Sequence, residues 1–268
     1  MVIVRTRYES LPLTVRSLIE ESTGSVLAVE PVEGGLNNAL SARLRTAGGE
    51  FFVKGLPADH RWVWTQQREA DLAPHLKFVA PSLVTHVVAR GWDVLVFAAV
   101  TARPADYRPG SPDVRVVAGL LQQLATIAAP PLELRRAEQR LAAYVERPDD
   151  AALFAGDALL HTDWNNTNVL IGERTWLVDW GWATRGAAWL DAAYWIIWLI
   201  AAGHQPDAAE GIAARVPAFA VAPIAAVTAF AEANERLWAE TAGTGVDEWT
   251  SRLHKANQAW VRHRHDVR

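Results

Sequence analysis

Leu159-Leu160-His161-Thr162-Asp163-Trp164-Asn165-Asn166-Thr167-Asn168-Val169-Leu170-Ile171 sets a run of polar, acceptor-bearing side chains between two apolar, strand-like ends. Polar groups held between buried flanks must be hydrogen-bonded or serve a ligand, because an unpaired buried polar group is costly. Eleven residues beyond Asn168 comes Asp179, in Trp176-Leu177-Val178-Asp179-Trp180-Gly181, a second apolar strand ending in a carboxylate and then a glycine. Two short strands joined by a tight turn are expected to bring Asp163, Asn168 and Asp179 to the same end of one hairpin.

Three hard oxygen donors at one place suit a divalent cation with a base beside it. Phosphoryl transfer needs that set: oxygen ligands for Mg²⁺ bridging the phosphates, and a carboxylate that positions the attacking hydroxyl and accepts its proton. Asn168 and Asp179 suit the metal, and Asp163 suits the hydroxyl. The pattern His161-x-Asp163-x-x-x-x-Asn168, followed by Asp179-x-Gly181, resembles the catalytic and metal-binding motifs of the aminoglycoside phosphotransferase and choline kinase superfamily, relatives of the protein kinases.

The resemblance implies a phosphate loop, a strand lysine and a helix glutamate upstream, in that order. Glu33-Gly34-Gly35-Leu36-Asn37-Asn38 lies between two strand candidates, where Gly34, Gly35 and Asn37 would let backbone N–H groups approach the phosphates. Lys54 ends an apolar strand in a chain that otherwise prefers Arg, its other lysines being Lys77 and Lys255; a compact ammonium is wanted there. Glu69, on the following helix, is placed by the resemblance to pair with Lys54, with Asp71 as its neighbouring competitor. The family connects its lobes at a stretch matching Leu95 to Val100, so a nucleotide base would be read by backbone groups near Ala98 and Val100, with ATP and GTP both open. His161 is expected to brace the catalytic loop, and Asp191, inside an apolar helix, to anchor its backbone. Thr162 takes a position the family often gives to Gly; Trp164 and Asn166 are further departures. None removes a ligand or the base.

Working outward, the expected fold is α+β and protein-kinase-like. Residues 1–98 form a nucleotide-binding lobe with a small antiparallel sheet and one main helix; residues 99–268 form a larger, mostly helical catalytic and acceptor-binding lobe. Leu13 to Glu21 has helical spacing with Thr14 available as a cap, and strands are expected over Ser25–Val32, Asn38–Arg45, Glu50–Lys54, Ser82–Ala89 and Trp92–Phe97. Helices are expected over Asp59–Lys77, from Ser111 through Ile127, over Glu133–Glu146, and from Trp189 onward with breaks near Gly203, Pro217, Pro223 and Gly243.

Composition narrows the rest. The chain has 268 residues, a net charge of −4 and no concentrated basic face, which argues against nucleic acid as partner. It has no cysteine, which excludes thiolate metal sites and cysteine nucleophiles and favours an intracellular setting. Its start lacks the order of a secretory signal, and the apolar stretch Ala187 to Ala202 is too short for a membrane span, so a cytoplasmic monomer or homodimer is expected. The expected acceptor is a hydroxylated small molecule: an aminoglycoside-like or other natural-product antibiotic, which would imply a role in antibiotic resistance, or alternatively a choline-like amino alcohol. A non-catalytic nucleotide-binding module is the rival outside enzymes. Acidic residues of the last third, among them Asp207, Glu210, Glu232, Glu235 and Glu240, could face a polycation, and Trp182, Trp189, Trp195, Trp198, Trp238, Trp249 and Trp260 raise an aromatic cage.

Overall fold

The computed structural model describes residues 4–32, 38–243 and 248–266. The chain divides into two compact units, one made of Met1–Ala102 and Trp176–Gly181, the other of Arg103–Thr175 and Trp182–Arg268.

The first unit opens with helix α1 (Leu13–Thr23) and continues through strands β1 (Val26–Pro31), β2 (Leu40–Thr46) and β3 (Gly49–Pro57). Helix α2 (Trp64–Leu72) and strands β4 (Leu83–Ala89) and β5 (Trp92–Ala98) follow. The strands form one antiparallel sheet in the order β1-β2-β3-β5-β4. Successive side chains of a strand point to opposite faces. Phe51 and Val53 of β3 therefore join Val15 and Ile19 of α1, Leu40, Ala42 and Leu44 of β2, and Val94 and Val96 of β5 in one core, while Lys54 points the other way, toward α2. The β2–β3 turn needs Gly48, where a Cβ would lie 2.5 Å from the Thr23 carbonyl oxygen.

Helix α2 is shorter than the expected span from Asp59 to Lys77. Upstream of it, the Trp62 N–H donates to His60 Nδ1 at 3.2 Å and the Thr65 hydroxyl to the Trp62 carbonyl at 2.7 Å, local bonds that replace helical ones. Downstream, Pro74 has no N–H to continue the ladder, and Ala73–His75 form a 3₁₀ turn. Thr14 caps nothing: α1 starts behind Pro12, with no side-chain cap.

The second unit holds β6 (Ala102–Pro104, its first residue belonging to the first unit), α3 (Asp113–Leu124), β7 (Arg135–Arg136), α4 (Ala137–Leu141) and β8 (Ala158–Leu160). Strand β9 (Val169–Gly172) leads into β10 (Thr175–Leu177), which returns the chain to the first unit, and β11 (Thr184–Gly186) re-enters the second. Helices α5 (Leu190–Ala201), α6 (Pro206–Ala213), α7 (Pro217–Ala220), α8 (Ile224–Gly243) and α9 (Glu248–Asp266) complete it, breaking near the expected glycines and prolines. The expected helix over Glu133–Glu146 is reduced to α4, because Arg135 and Arg136 are extended and pair in parallel with Thr184 and Arg185. Strand β8 pairs antiparallel with β11 on its other side. Phe154, Trp189, Tyr194, Phe230 and Trp260 pack edge to face, with centroids 4.8–6.3 Å apart, in the core of this unit. Asn234 of α8 and Asn257 of α9 satisfy each other there through a 2.7 Å bond. Among the described residues, no helix is long and apolar enough to cross a membrane.

Candidate functional site

In the first unit, β3 sets Lys54 between Ser41 of β2 and Leu95 of β5. Its Nζ lies 2.5 Å from Glu69 Oε2, 2.8 Å from Asp179 Oδ1, and 6.0 Å from the centroid of the Phe97 ring. Burial alone would push the Lys54 ammonium down, but the Asp179 and Glu69 carboxylates outweigh it and hold the group above the ordinary lysine range. Burial raises Glu69, against the pull of the Lys54 charge. Asp71 lies exposed on the opposite face of α2, accepting from Gln67 at 2.7 Å. Helical period thus separates the two candidate acids.

Asp179 has φ +67°, a conformation Asp adopts more readily than most residues, and its side chain is 30% exposed. The strand before it is tied down by Leu177 N–H donating to the Val79 carbonyl at 2.8 Å. Gly181 lies against α2, where a Cβ would sit 2.7 Å from Thr65 Cβ. The glycine of Asp179-x-Gly181 is therefore required by packing.

At the end of β5 the Ala98 N–H donates to the Ser82 carbonyl at 2.9 Å, and the Ala99 N–H to Glu50 at 3.0 Å. The Val100 carbonyl accepts from Arg43 at 3.1 Å. Gly34, Gly35 and Asn37 of the expected phosphate loop lie outside the described residues.

In the second unit, the polar run after β8 is tied together by local hydrogen bonds. The Asp163 N–H donates to His161 Nδ1 at 3.3 Å; Asp163 Oδ1 accepts from the Asn165 N–H at 3.3 Å. Asn165 Oδ1 accepts from the Thr167 N–H at 3.2 Å, and Asn166 Nδ2 donates to the Ala105 carbonyl at 3.0 Å. Asn168 Nδ2 donates to the Asp163 carbonyl at 3.3 Å, while its Oδ1 accepts from no described residue. That leaves a hard oxygen without a protein donor, the donor type Mg²⁺ takes. Among the described residues no three acidic or histidine side chains cluster as a metal cage. Mg²⁺ does not need one, since it commonly uses one or two protein oxygens with phosphates and water. Burial and then the charge of Asp163 raise the phenol of Tyr107 well above its ordinary range, which puts that half-buried carboxylate near Tyr107.

Asp191, near the start of α5, accepts the His161 N–H on Oδ2 and the Thr162 N–H on Oδ1, both at 2.9 Å. Thr162 has φ +69°, strained for a β-branched residue and costing on the order of 1–3 kcal/mol. The Asp191 bonds hold it there, together with Arg140 Nη1, which donates to Thr162 Oγ1 at 2.9 Å. Burial raises Asp191 to about 6, opposed by the N–H of His161, the Trp164 indole, the N–H of Thr162 and the charge of Arg140. An unfolded aspartate titrates near 3.9, so the folded chain holds this proton more tightly. Stability tied to Asp191 is complete below about pH 4 and lost as pH rises through about 6. We expect the urea midpoint of Asp191→Asn to lack this decline; parallel profiles for variant and wild type would contradict the assignment.

No protein-family model matches the sequence, and no curated protein matches it. Solved structures do. LicA in complex with AMP superimposes with a TM-score of 0.63 at 14% identity, over 93% of this chain and 98% of that one, and the choline kinase LicA from Streptococcus pneumoniae with 0.58 at 14%, over 92% and 98%. An aminoglycoside phosphotransferase from Alicyclobacillus acidocaldarius gives 0.57 at 14%, over 96% of each chain. A thermostable mutant of aminoglycoside phosphotransferase APH(4)-Ia, in a ternary complex with ADP and hygromycin B, gives 0.54 at 13%, over 92% of this chain and 98% of that one. The chain has the fold of these kinases. At such identities the likeness is one of fold, and the protein-kinase-like α+β architecture expected from the sequence is the one observed.

Within that fold, the structure gathers Lys54, Glu69 and Asp179 in the first unit, and His161, Asp163, Asn168 and Asp191 in the second. Sequence reasoning missed Arg140 and Tyr107. Arg140 is one arginine of many and lies on a five-residue helix, so no spacing marks it.

Proposed function

We propose that this chain transfers the γ-phosphoryl group of a nucleoside triphosphate, ATP or GTP, to a hydroxyl of a small molecule. The observation that carries this reading is Lys54, a buried ammonium fixed between two carboxylates. A buried pair of this kind is not needed for stability, since apolar residues often replace one at no loss. It is suited to gripping phosphate oxygens, and nucleotide complexes among the fold neighbours support that role. The Val100 N–H, which pairs with no described residue, is the donor left for the base.

In this reading the two sets of residues act on one nucleotide. Lys54 binds and orients the phosphates, with Glu69 fixing its position. Asp163 holds the acceptor hydroxyl and takes its proton as the new O–P bond forms and the bond to the leaving diphosphate breaks. His161 and Asp191 keep the Asp163 backbone in place. Mg²⁺, when bound, would neutralise charge on the phosphates, with Asn168 Oδ1 and Asp179 as its protein oxygens. With all these groups present, the non-catalytic alternative has no structural support.

The acceptor we propose is a hydroxylated natural product of the antibiotic type. A carboxylate-lined pocket for a polycation is not favoured. Glu210 is engaged by Arg264 at 3.2 Å, Glu232 by His265 at 2.7 Å, Glu235 by His254 at 3.0 Å and Glu240 by the Tyr144 hydroxyl at 2.8 Å. Nor does the aromatic cage of a choline-like reading stand open: Trp189, Trp195 and Trp260 are core residues. Trp198, Trp238 and Trp249 are half-buried and pack on one another, Trp249 lying 5.7 Å from Trp198 and 5.4 Å from Trp238. The Trp182 ring already carries the Arg135 and Arg140 guanidiniums, whose like charge disfavours a quaternary ammonium there. Labelled nucleotide offered with a panel of acceptors is expected to show transfer to hydroxylated natural products. Turnover of choline-like alcohols alone would overturn the acceptor, and absence of transfer to any hydroxyl would overturn the reaction.

A further inference from the structure

Most arginines described in the second unit with an ion pair have a plain partner: Arg103 has Asp113, Arg108 has Asp106, Arg147 has Asp150, and Arg264 has Glu210. Arg140 has none. Its Nη1 donates to three neutral oxygens, Thr162 Oγ1 at 2.9 Å, the Trp182 carbonyl at 3.3 Å and Thr184 Oγ1. Its Nε and Nη2 donate to no described residue, and no described carboxylate pairs with it. The nearby acids have their own contacts: both Asp191 oxygens accept backbone N–H groups while the Arg140 charge helps keep that carboxyl ionised, and Glu138 pairs through Oε1 with Arg136, its Oε2 being buried without a hydrogen-bond partner.

Three neutral oxygens thus fix the plane of a cation and leave its Nε–Nη2 edge open. That edge is the fork that meets a carboxylate or phosphate with two parallel bonds. The ring of Trp182 forms a wall beside it, with the Arg140 guanidinium 5.8 Å and the Arg135 guanidinium 5.3 Å from the indole centroid. Arg140, Arg135 and Trp182 are all half-buried. The two cations and the indole therefore form a positive corner reached from solvent. Thr162, which Arg140 grips, is followed directly by Asp163. The corner is thus tied to Thr162, the residue that precedes the group assigned to receive the acceptor's proton.

We propose that Arg140, with Arg135 and Trp182, is an oxyanion subsite, and that the acceptor carries a carboxylate or phosphate near the hydroxyl that is phosphorylated. The acceptor half of this inference rests on the kinase reading; the anion subsite itself does not. It narrows the acceptor to anionic hydroxylated compounds and excludes polycations.

The test uses the full chain saturated with Mg²⁺ and AMP-PNP, so that the phosphate site is filled, and sulfate as the probe. Calorimetry should show sulfate binding to wild type that chloride at equal ionic strength does not reproduce. Arg140→Gln is expected to weaken it by about 10- to 100-fold, the scale of losing a charge-assisted pair of bonds, and Arg140→Lys should restore only part. Arg135→Gln, which leaves the Thr162 contacts intact, should weaken it as well and decides the matter if Arg140→Gln does not fold. Wild-type-like sulfate affinity in the folded variants would overturn the subsite while leaving the kinase reading in place. Failure of AMP-PNP to bind, with sulfate binding still dependent on Arg140, would overturn the kinase reading and keep the subsite. Among acceptors that turn over, a preference for cationic over carboxylate- or phosphate-bearing ones would also refute the proposal.

Discussion

Replacing Asp163 by alanine is expected to lower turnover by about 10²–10⁴-fold, the range for losing a positioned general base. The effect should fall on the chemical step. Asp163 is half-buried on a loop whose geometry is fixed by other residues: Asp191 holds the 161 and 162 N–H groups, and Asn166 ties the loop to Ala105. Its own side chain accepts the Asn165 N–H through a 3.3 Å bond, a local contact inside the loop. Truncation should therefore leave the fold and the nucleotide affinity close to wild type. Because the carboxylate raises Tyr107, the Tyr107 phenol should also titrate lower in the variant, a readout independent of activity. An unchanged rate with a competent acceptor would reject Asp163 as the base.

Lys54→Ala is expected to cost about 3–5 kcal/mol of stability, the usual result of stripping one partner from a buried ion pair. The reason lies in what remains. Glu69 stays buried on α2 with Asp179 nearby, two carboxylates with no cation between them. Glu69, already raised by burial, should then take up a proton on folding, so the loss in the variant should ease as pH falls. Adding Glu69→Gln should recover much of the stability, because the stranded charge is gone. It should not recover phosphoryl transfer, since the ammonium is still missing. Urea midpoints and turnover measured on the same variants separate the two roles; recovery of both by the double variant would show that Lys54 serves only the fold.

The residues differ in how far sequence could read them. Lys54 was legible because lysine is rare in this chain and strand alternation puts it opposite the Val53 face. Glu69 and Asp71 could not be told apart until the start of α2 was fixed by the His60 and Thr65 bonds, which no periodicity predicts. Thr162 stood where a glycine is usual, and its φ of +69° gives the physical reason. In Trp180-Gly181-Trp182 the two tryptophans look equivalent, yet Trp180 is buried in the first unit and Trp182 lies half-buried beside Arg135 and Arg140 in the second. Arg140 was illegible because its role comes from an unpaired edge, which only three-dimensional neighbours define.

A crystal structure of the chain with Mg²⁺ and AMP-PNP tests the central claim most directly. We predict a single Mg²⁺ with Asn168 Oδ1 and an Asp179 oxygen at about 2.0–2.1 Å, and Lys54 Nζ on the phosphates of the same nucleotide. A nucleotide held by one set of residues alone, with Asp163 and Asn168 remote from its phosphates, would contradict it.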